Sequence, residues 1–212
     1  ARARLGAPDA TDVLQQTLRL GRGVAEPSCR ASSRLALVEA AWVEPDVAAC
    51  DEHLLQLQSI TDAPLDVWSF GELAVWRQRR HMPPVARIRP ASQIPEPWAA
   101  ELRGDPLAAA EAWLRLGMPC EAALALLQVR GADASAAFAR ALRLLEPLDA
   151  QALLARVRGL ARELGVEAAL PRPRRGRYGV ARTHALGLTR RELQVLDLLH
   201  VGHSNLEVAR RL

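Results

Sequence analysis

The stretch GDPLAAAEAWLRLGMPCEAALALLQVRG, residues 104–131, decides the fold class because it holds two consecutive helix patterns with their own start and stop signals. Asp105 is a typical N-cap, and Pro106 suits the first helical position. Gly117 ends this helix, with Pro119 two residues beyond. Gly131 ends the second. Apolar residues recur at helical spacing in both: Leu107, Ala110 and Leu114, then Cys120, Ala123, Leu124 and Leu127.

The same periodicity extends outward from about residue 9 to residue 165. The other apolar stripes are Leu35, Val38 and Trp42; Val47, Cys50, Leu54 and Leu57; Leu65, Trp68, Leu73 and Trp76; Phe138, Ala141, Leu142 and Leu145; Leu153, Val157, Leu160 and Leu164. Asp149 should start the last of these helices, which Gly165 ends. Helices joined by short turns pack as antiparallel hairpins. We therefore predict an all-α fold of TPR-like hairpins in a short α-solenoid, since WLRLG (113–117) matches the opening of a tetratricopeptide repeat.

Composition places the chain among globular helical proteins. Half of its 212 residues are apolar, a quarter are charged and only 4% are aromatic, which disfavours a sheet-rich fold. The first residues lack the apolar core of a signal peptide, and no apolar run reaches 18 residues. We expect a cytoplasmic protein without a membrane partner. Its three cysteines should then be reduced thiols.

Positive charge is concentrated near the C-terminus. Between residues 168 and 191 there are seven arginines and no acid, so the formal charge of +4 leaves −3 for the remainder of the chain. Proline and glycine interrupt this stretch, which predicts a basic linker. Its arginines are Arg172, Arg174, Arg175, Arg177 and Arg182, with Arg190 and Arg191 just beyond.

Two short capped helices follow the linker. Thr189 with Glu192 forms one capping box, and Ser204 with Glu207 forms a second after the Gly202 turn. Over about 26 residues, GLTRRELQVLDLLHVGHSNLEVARRL (187–212) resembles the start of the LuxR-type DNA-binding domain. The matching positions are Leu188, Thr189, Arg191, Glu192, Val195, Leu196, Leu198, Leu199, Gly202, Ser204, Asn205, Glu207, Val208, Ala209 and Leu212.

The helical stretch upstream is similar to the C-terminal part of the large ATP-dependent, MalT-like LuxR regulators. The resemblance implies a bacterial transcriptional regulator that binds DNA when full-length, with a protein or small-molecule effector acting on the helical region. It also implies a fragment, because the family's recognition helix would follow residue 212. We expect no cofactor in this chain: ATP would bind an upstream domain, since a P-loop needs a lysine and every basic residue here is arginine.

The resulting domain prediction has five parts. They are a helical block (1–80), a proline-rich loop (81–97), a TPR-like block (98–166), the basic linker (167–187) and the N-terminal part of a helix-turn-helix (188–212). The candidate contacts to the DNA backbone are Arg190, Arg191, Ser204 and Asn205, because they lie at helix N-termini. Capping alone also accounts for Ser204, and a solvated linker accounts equally for the arginines.

A structural role is favoured for the remaining residues that could take part in catalysis or bind a metal. Cys50 and His53 have a spacing seen in metal sites, and His200 and His203 could clasp a metal, but further ligands are missing. Cys120 lies on an apolar face, and the five tryptophans suit packing between helices better than a ligand cage. We therefore expect neither a catalytic nor a metal site. The alternative to a regulator is a helical-repeat scaffold for protein interactions, with an enzyme third.

Overall fold

The structure is a computed structural model that describes residues 2–21, 27–60, 65–85, 89–170, 190–203 and 207–208. It divides into two compact units, residues 1–170 and 171–212. Within the described residues all regular structure is helical, so the predicted all-α class is confirmed. The TPR-like detail and the five-part domain division stay predictions. No helix in the described part of the chain is long and apolar enough to cross a membrane.

Ten helices of the first unit are described. They are α1 (Arg2–Leu5), α2 (Ala10–Leu20), α3 (Pro27–Val43), α4 (Val47–Ile60), α5 (Val67–Arg79), α6 (Glu96–Leu102), α7 (Pro106–Arg115), α8 (Pro119–Leu126), α9 (Ala134–Leu145) and α10 (Gln151–Glu163). The second unit contains α11 (Arg190–His200). Short 3-10 turns lie at Ala91–Gln93, Gly131–Asp133, Glu146–Leu148 and Glu167–Ala169.

Successive helices of the first unit pack against each other, from α2 with α3 through to α9 with α10. In addition, α1 contacts both α3 and α10, and α3 contacts α5. Among the described residues, one hydrophobic cluster extends from Ala31 in α3 to Leu170. Its largest fully buried side chains include Trp76, Trp113 and Phe138. The cluster includes residues of α3, α5, α6, α7 and α8, and α1 contacts α3 and α10.

The sequence signals around α7 are confirmed. The Asp105 carboxylate accepts a hydrogen bond from the Ala108 backbone N–H at 2.9 Å, and Pro106 is the first helical residue. Gly117 adopts a φ of +72°, which glycine tolerates without a Cβ clash, and the helix ends just before it. Pro119 has a second role, because it opens α8 at its first position.

Two start and stop signals were wrong. Asp149 does not cap α10: it has a left-handed φ of +55° and follows a 3-10 turn, and the helix begins at Gln151. Gly131 does not end α8, which stops at Leu126, and instead begins a 3-10 turn. In both places a 3-10 turn occupies the connection and shifts the helix boundary by a few residues.

Several residues assigned to buried stripes are exposed. They are Val47 (52%), Trp68 (47%), Leu107 (45%) and Leu164 (43%). Each lies within one turn of a helix end, where fewer neighbouring elements cover the helix. In α7 the buried face is Ala109, Ala110, Ala112 and Trp113, rotated from the predicted one. The apolar periodicity predicted the helices, whereas contacts with neighbouring helices determine which face of each helix is buried.

Candidate functional site

A cavity of about 160 Å³ lies in the first unit and is lined by four of the five tryptophans. The lining side chains come from six helices and the turn before α8. They are Arg4, Glu39, Trp68, Glu72, Trp76, Arg79, Trp98, Trp113, Met118, Glu121 and Leu124. Because it combines indole rings with charged groups, this cavity is the candidate functional site of the unit.

Helix α5 supplies the largest share of the lining. Its start is fixed by Asp66, whose carboxylate accepts hydrogen bonds from the backbone N–H groups of residues 68 and 69 at 2.9 and 3.0 Å. Residues at positions i, i+4, i+8 and i+11 of a helix share one face. Trp68, Glu72, Trp76 and Arg79 have this spacing, so a correctly started α5 presents all four to the cavity.

The indole rings of the cavity contact one another. Trp98 of α6 and Trp113 of α7 have ring centroids 4.5 Å apart at 76°, and the ring centroid of Trp68 lies 6.1 Å from that of Trp113. Trp42, which does not line the cavity, packs against Trp76 with ring centroids 5.7 Å apart. The predicted packing role of the tryptophans is thus real, and four of them also line the cavity.

Gly71 of α5 allows Trp98 to approach this closely. A Cβ atom built on Gly71 would lie 2.5 Å from Cδ1 of Trp98, a distance that side chains do not tolerate. The glycine therefore allows the α6 tryptophan to lie directly against the α5 backbone. Its role is steric, since its own backbone is helical.

Two arginines of the cavity wall are already paired with carboxylates. Nη2 of Arg4 donates at 2.8 Å to Glu39 of α3 and at 2.8 Å to Glu121 of α8. Arg79 donates to both carboxylate oxygens of Glu101 at 2.6 and 2.9 Å, and these side chains are only 5% and 2% exposed. Both arginines are committed to these structural pairs.

Glu72 has a different environment. The described residues offer its carboxylate no hydrogen bond, although it lines the cavity together with Arg4 and the tryptophans. Burial, followed by the negative charge of Glu39, raises the pKa of Glu72 to about 7, and Arg79 and Arg4 oppose this shift. The cavity thus contains a carboxyl that is about half ionised near neutral pH.

Two indole N–H groups in the wall have no acceptor. Within the described residues, those of Trp98 and Trp113 are buried and have no hydrogen-bond partner. A buried donor without a partner costs about 1–3 kcal/mol, and both nitrogens are covered by protein atoms, so they are a cost of packing and not ligand contacts. A second cavity of about 390 Å³ shares Arg4, Glu39 and Glu72 with this one.

Burial favours the neutral forms of Cys50, Cys120 and His53. Cys50 is 1% exposed, and burial raises its pKa to about 11. Burial likewise raises the pKa of Cys120 and lowers that of His53. Neutral thiols are poor nucleophiles and poor metal ligands. No group of three His, Cys, Asp or Glu residues in the described part of the chain is arranged to hold a metal ion.

Only part of the predicted DNA contact set falls within the described residues. Arg190 and Arg191 are the first two residues of α11. Ser204 and Asn205 lie outside the described residues, as do the linker arginines Arg172, Arg174, Arg175, Arg177 and Arg182. The predicted turn is present: Gly202 has a φ of +89°, and residues 207–208 are again helical.

The tryptophan-lined cavity was missed in the sequence. The spacing of Trp68, Glu72 and Trp76 is a signal, because three residues on one helix face combine aromatic and acidic character. The partners from α1, α3, α6, α7 and α8 gave no comparable signal.

Comparison with protein-family models, with curated proteins and with solved structures gave no match for this chain.

Proposed function

We propose that the chain is part of a bacterial transcriptional regulator, in which the first unit responds to a signal and a LuxR-type helix-turn-helix contacts DNA. The observation that carries this proposal is the motif match over residues 188–212. It includes apolar, capping and turn positions in the order that such a domain requires. A regulator acting on bacterial DNA would work in the cytoplasm.

The local structure of the second unit is compatible with this proposal. Helix α11 is followed by the Gly202 turn and by renewed helix at residues 207–208. Leu196, Leu199 and Val201 are 45%, 43% and 74% exposed. They form an apolar surface of the kind that further helices of a DNA-binding domain would cover.

The proposal is tested by fluorescence anisotropy of labelled duplex DNA at several salt concentrations. If five of the seven arginines between residues 168 and 191 contact phosphates, the log–log salt slope should be about −4 to −5. Replacing both Arg190 and Arg191 with Ala should reduce it to about −3. The matched control is the double replacement of Arg115 and Arg143, two exposed arginines of the first unit.

Equal slopes for the two double variants would refute phosphate contact by Arg190 and Arg191. Failure of the wild-type chain to bind duplex DNA at low salt would refute DNA-backbone contact by these 212 residues, which is the part of the regulator proposal that this chain can test. The helical-repeat scaffold would then be the remaining proposal, because the packed helices of the first unit offer a protein-binding surface without any DNA contact.

A further inference from the structure

The tryptophan-lined cavity has the size of a small organic molecule. Its volume of about 160 Å³ equals roughly five water volumes at about 30 Å³ each. A ligand of six to eight non-hydrogen atoms, about the size of benzene, fits such a space. Trp68 and Met118 are 47% and 39% exposed, so the cavity reaches the surface at these two side chains.

The charges around the cavity favour a positively charged ligand. Arg4 is neutralised by Glu39 and Glu121, and Arg79 is neutralised by Glu101 through two hydrogen bonds. Glu72 is left without a counter-ion, so the group has four carboxyls against two guanidiniums. An anion would meet arginines that are already paired, whereas a cation would complete the charge balance at Glu72.

The aromatic lining also favours a positively charged ligand. Indole faces attract cations, most strongly where water is excluded. One ring of the site already does so, because the guanidinium carbon of Arg79 lies 4.9 Å from the Trp76 ring centroid. Trp68, Trp98 and Trp113 surround the remaining space. A weakly hydrated organic cation would lose less hydration than a metal ion on entering such a site.

We propose that this cavity binds a small alkylated ammonium compound, with Glu72 as its counter-ion and the tryptophans as its walls. Every residue involved lies in the first unit, so the proposal does not depend on DNA binding by the second unit. In a regulator, such a ligand would act as an effector of the helical region.

Choline is a suitable probe, because its neutral carbon isostere, 3,3-dimethyl-1-butanol, has the same shape and hydroxyl group without the charge. Isothermal titration calorimetry of the 212-residue chain should show choline binding at least about tenfold more tightly than the isostere. Equal affinity for both compounds would overturn the cation site, and saturable binding of neither would overturn the cavity as a ligand site.

Three variants distinguish binding at this site from nonspecific binding. Glu72→Gln should weaken choline binding by about tenfold or more and leave binding of the isostere unchanged. Trp68→Ala should weaken binding of both compounds, and the half-exposed position of Trp68 allows this change without unfolding. Trp42→Phe is the control, because Trp42 contacts Trp76 but does not line the cavity. Equal affinity of the Glu72→Gln variant and the wild type for choline would refute the role of Glu72.

The pH dependence gives an independent readout. The charged groups facing Glu72 are Arg4 on α1, Glu39 on α3, Arg79 on α5 and Glu121 on α8. Choline affinity should rise with pH as Glu72 loses its proton near pH 7, and the dependence should disappear in Glu72→Gln. A pH-independent affinity in the wild type would contradict the assigned counter-ion.

Discussion

Replacing Glu72 by Gln should stabilise the protein above neutral pH while leaving its stability in acid nearly unchanged. The carboxyl has a pKa of about 7 in the folded chain, against 4.5 in its unperturbed state, because burial and the charge of Glu39 disfavour ionisation. Glutamine occupies almost the same volume and never ionises. The variant therefore isolates the free energy of placing this one charge in the cavity wall.

The magnitude follows from the difference between the two pKa values. The folded state holds the proton more tightly than the unfolded state, so Glu72 lowers the free energy of unfolding as pH rises between about 4.5 and 7. At about 1.4 kcal/mol for each pKa unit, the loss amounts to about 3 kcal/mol above pH 7. Below pH 4.5 the carboxyl is neutral in both states and the loss is absent.

The assay is urea unfolding of the wild type and the variant at several pH values from below 4.5 to above 7. The difference in unfolding free energy should grow by about 3 kcal/mol in favour of Glu72→Gln across this window. Glu44→Gln, at an exposed position just after α3, provides the matched control and should show little change.

A stability difference that stays constant with pH would refute the reasoning, because it would show that Glu72 is solvated or has a counter-ion. A difference that grows with the opposite sign would show that Glu72 is stabilised as a carboxylate by one of its arginine neighbours. Adding choline above pH 7 should reduce the advantage of the variant, since the bound cation stabilises only the wild-type carboxylate.

Five further substitutions test helix packing, ion pairing and capping in the first unit by denaturant unfolding. Gly71→Ala should cost about 1–3 kcal/mol, because its methyl overlaps the packed indole ring, whereas Gly159→Ala, in open space on α10, should stabilise by about 0.5–1 kcal/mol. Glu101→Gln should cost about 3–5 kcal/mol by leaving a buried guanidinium uncompensated, whereas Glu96→Gln breaks an exposed ion pair and should cost below about 1 kcal/mol. Asp105→Ala should cost about 1 kcal/mol through loss of the α7 cap. Equal changes in the free energy of unfolding for Gly71→Ala and Gly159→Ala, or for Glu101→Gln and Glu96→Gln, would contradict these assignments. So would an unchanged stability of the Asp105→Ala variant.

The helical fold class could be predicted from signals that act between neighbouring residues. Asp105, Pro106 and Gly117 act through the backbone of their own helix, so the start and end of α7 could be predicted from neighbours in the chain. The error at Asp149 has the same local origin. An aspartate satisfies both an N-cap and a left-handed turn, and the sequence alone does not choose between them.

Which helix face is buried depended on partners that local periodicity does not contain. Leu107 was assigned to the core, yet it is exposed, whereas Ala109 and Trp113 are buried. An amphipathic pattern defines an apolar stripe that covers about 100° of the helix circumference, so it does not fix which residues within or beside the stripe are buried. The close contact between Gly71 and Trp98 then determines how α5 and α6 fit together.

The all-helical class, the boundaries of α7 and the concentration of arginine near the C-terminus could all be predicted from residues close together in the chain. Only the tertiary structure brought Arg4 to Glu121, which lies 117 positions away, and enclosed Glu72 among tryptophans from three helices. The physical reason is that caps and periodicity are properties of neighbouring residues. The burial that raises the pKa of Glu72 arises when separate helices exclude water together.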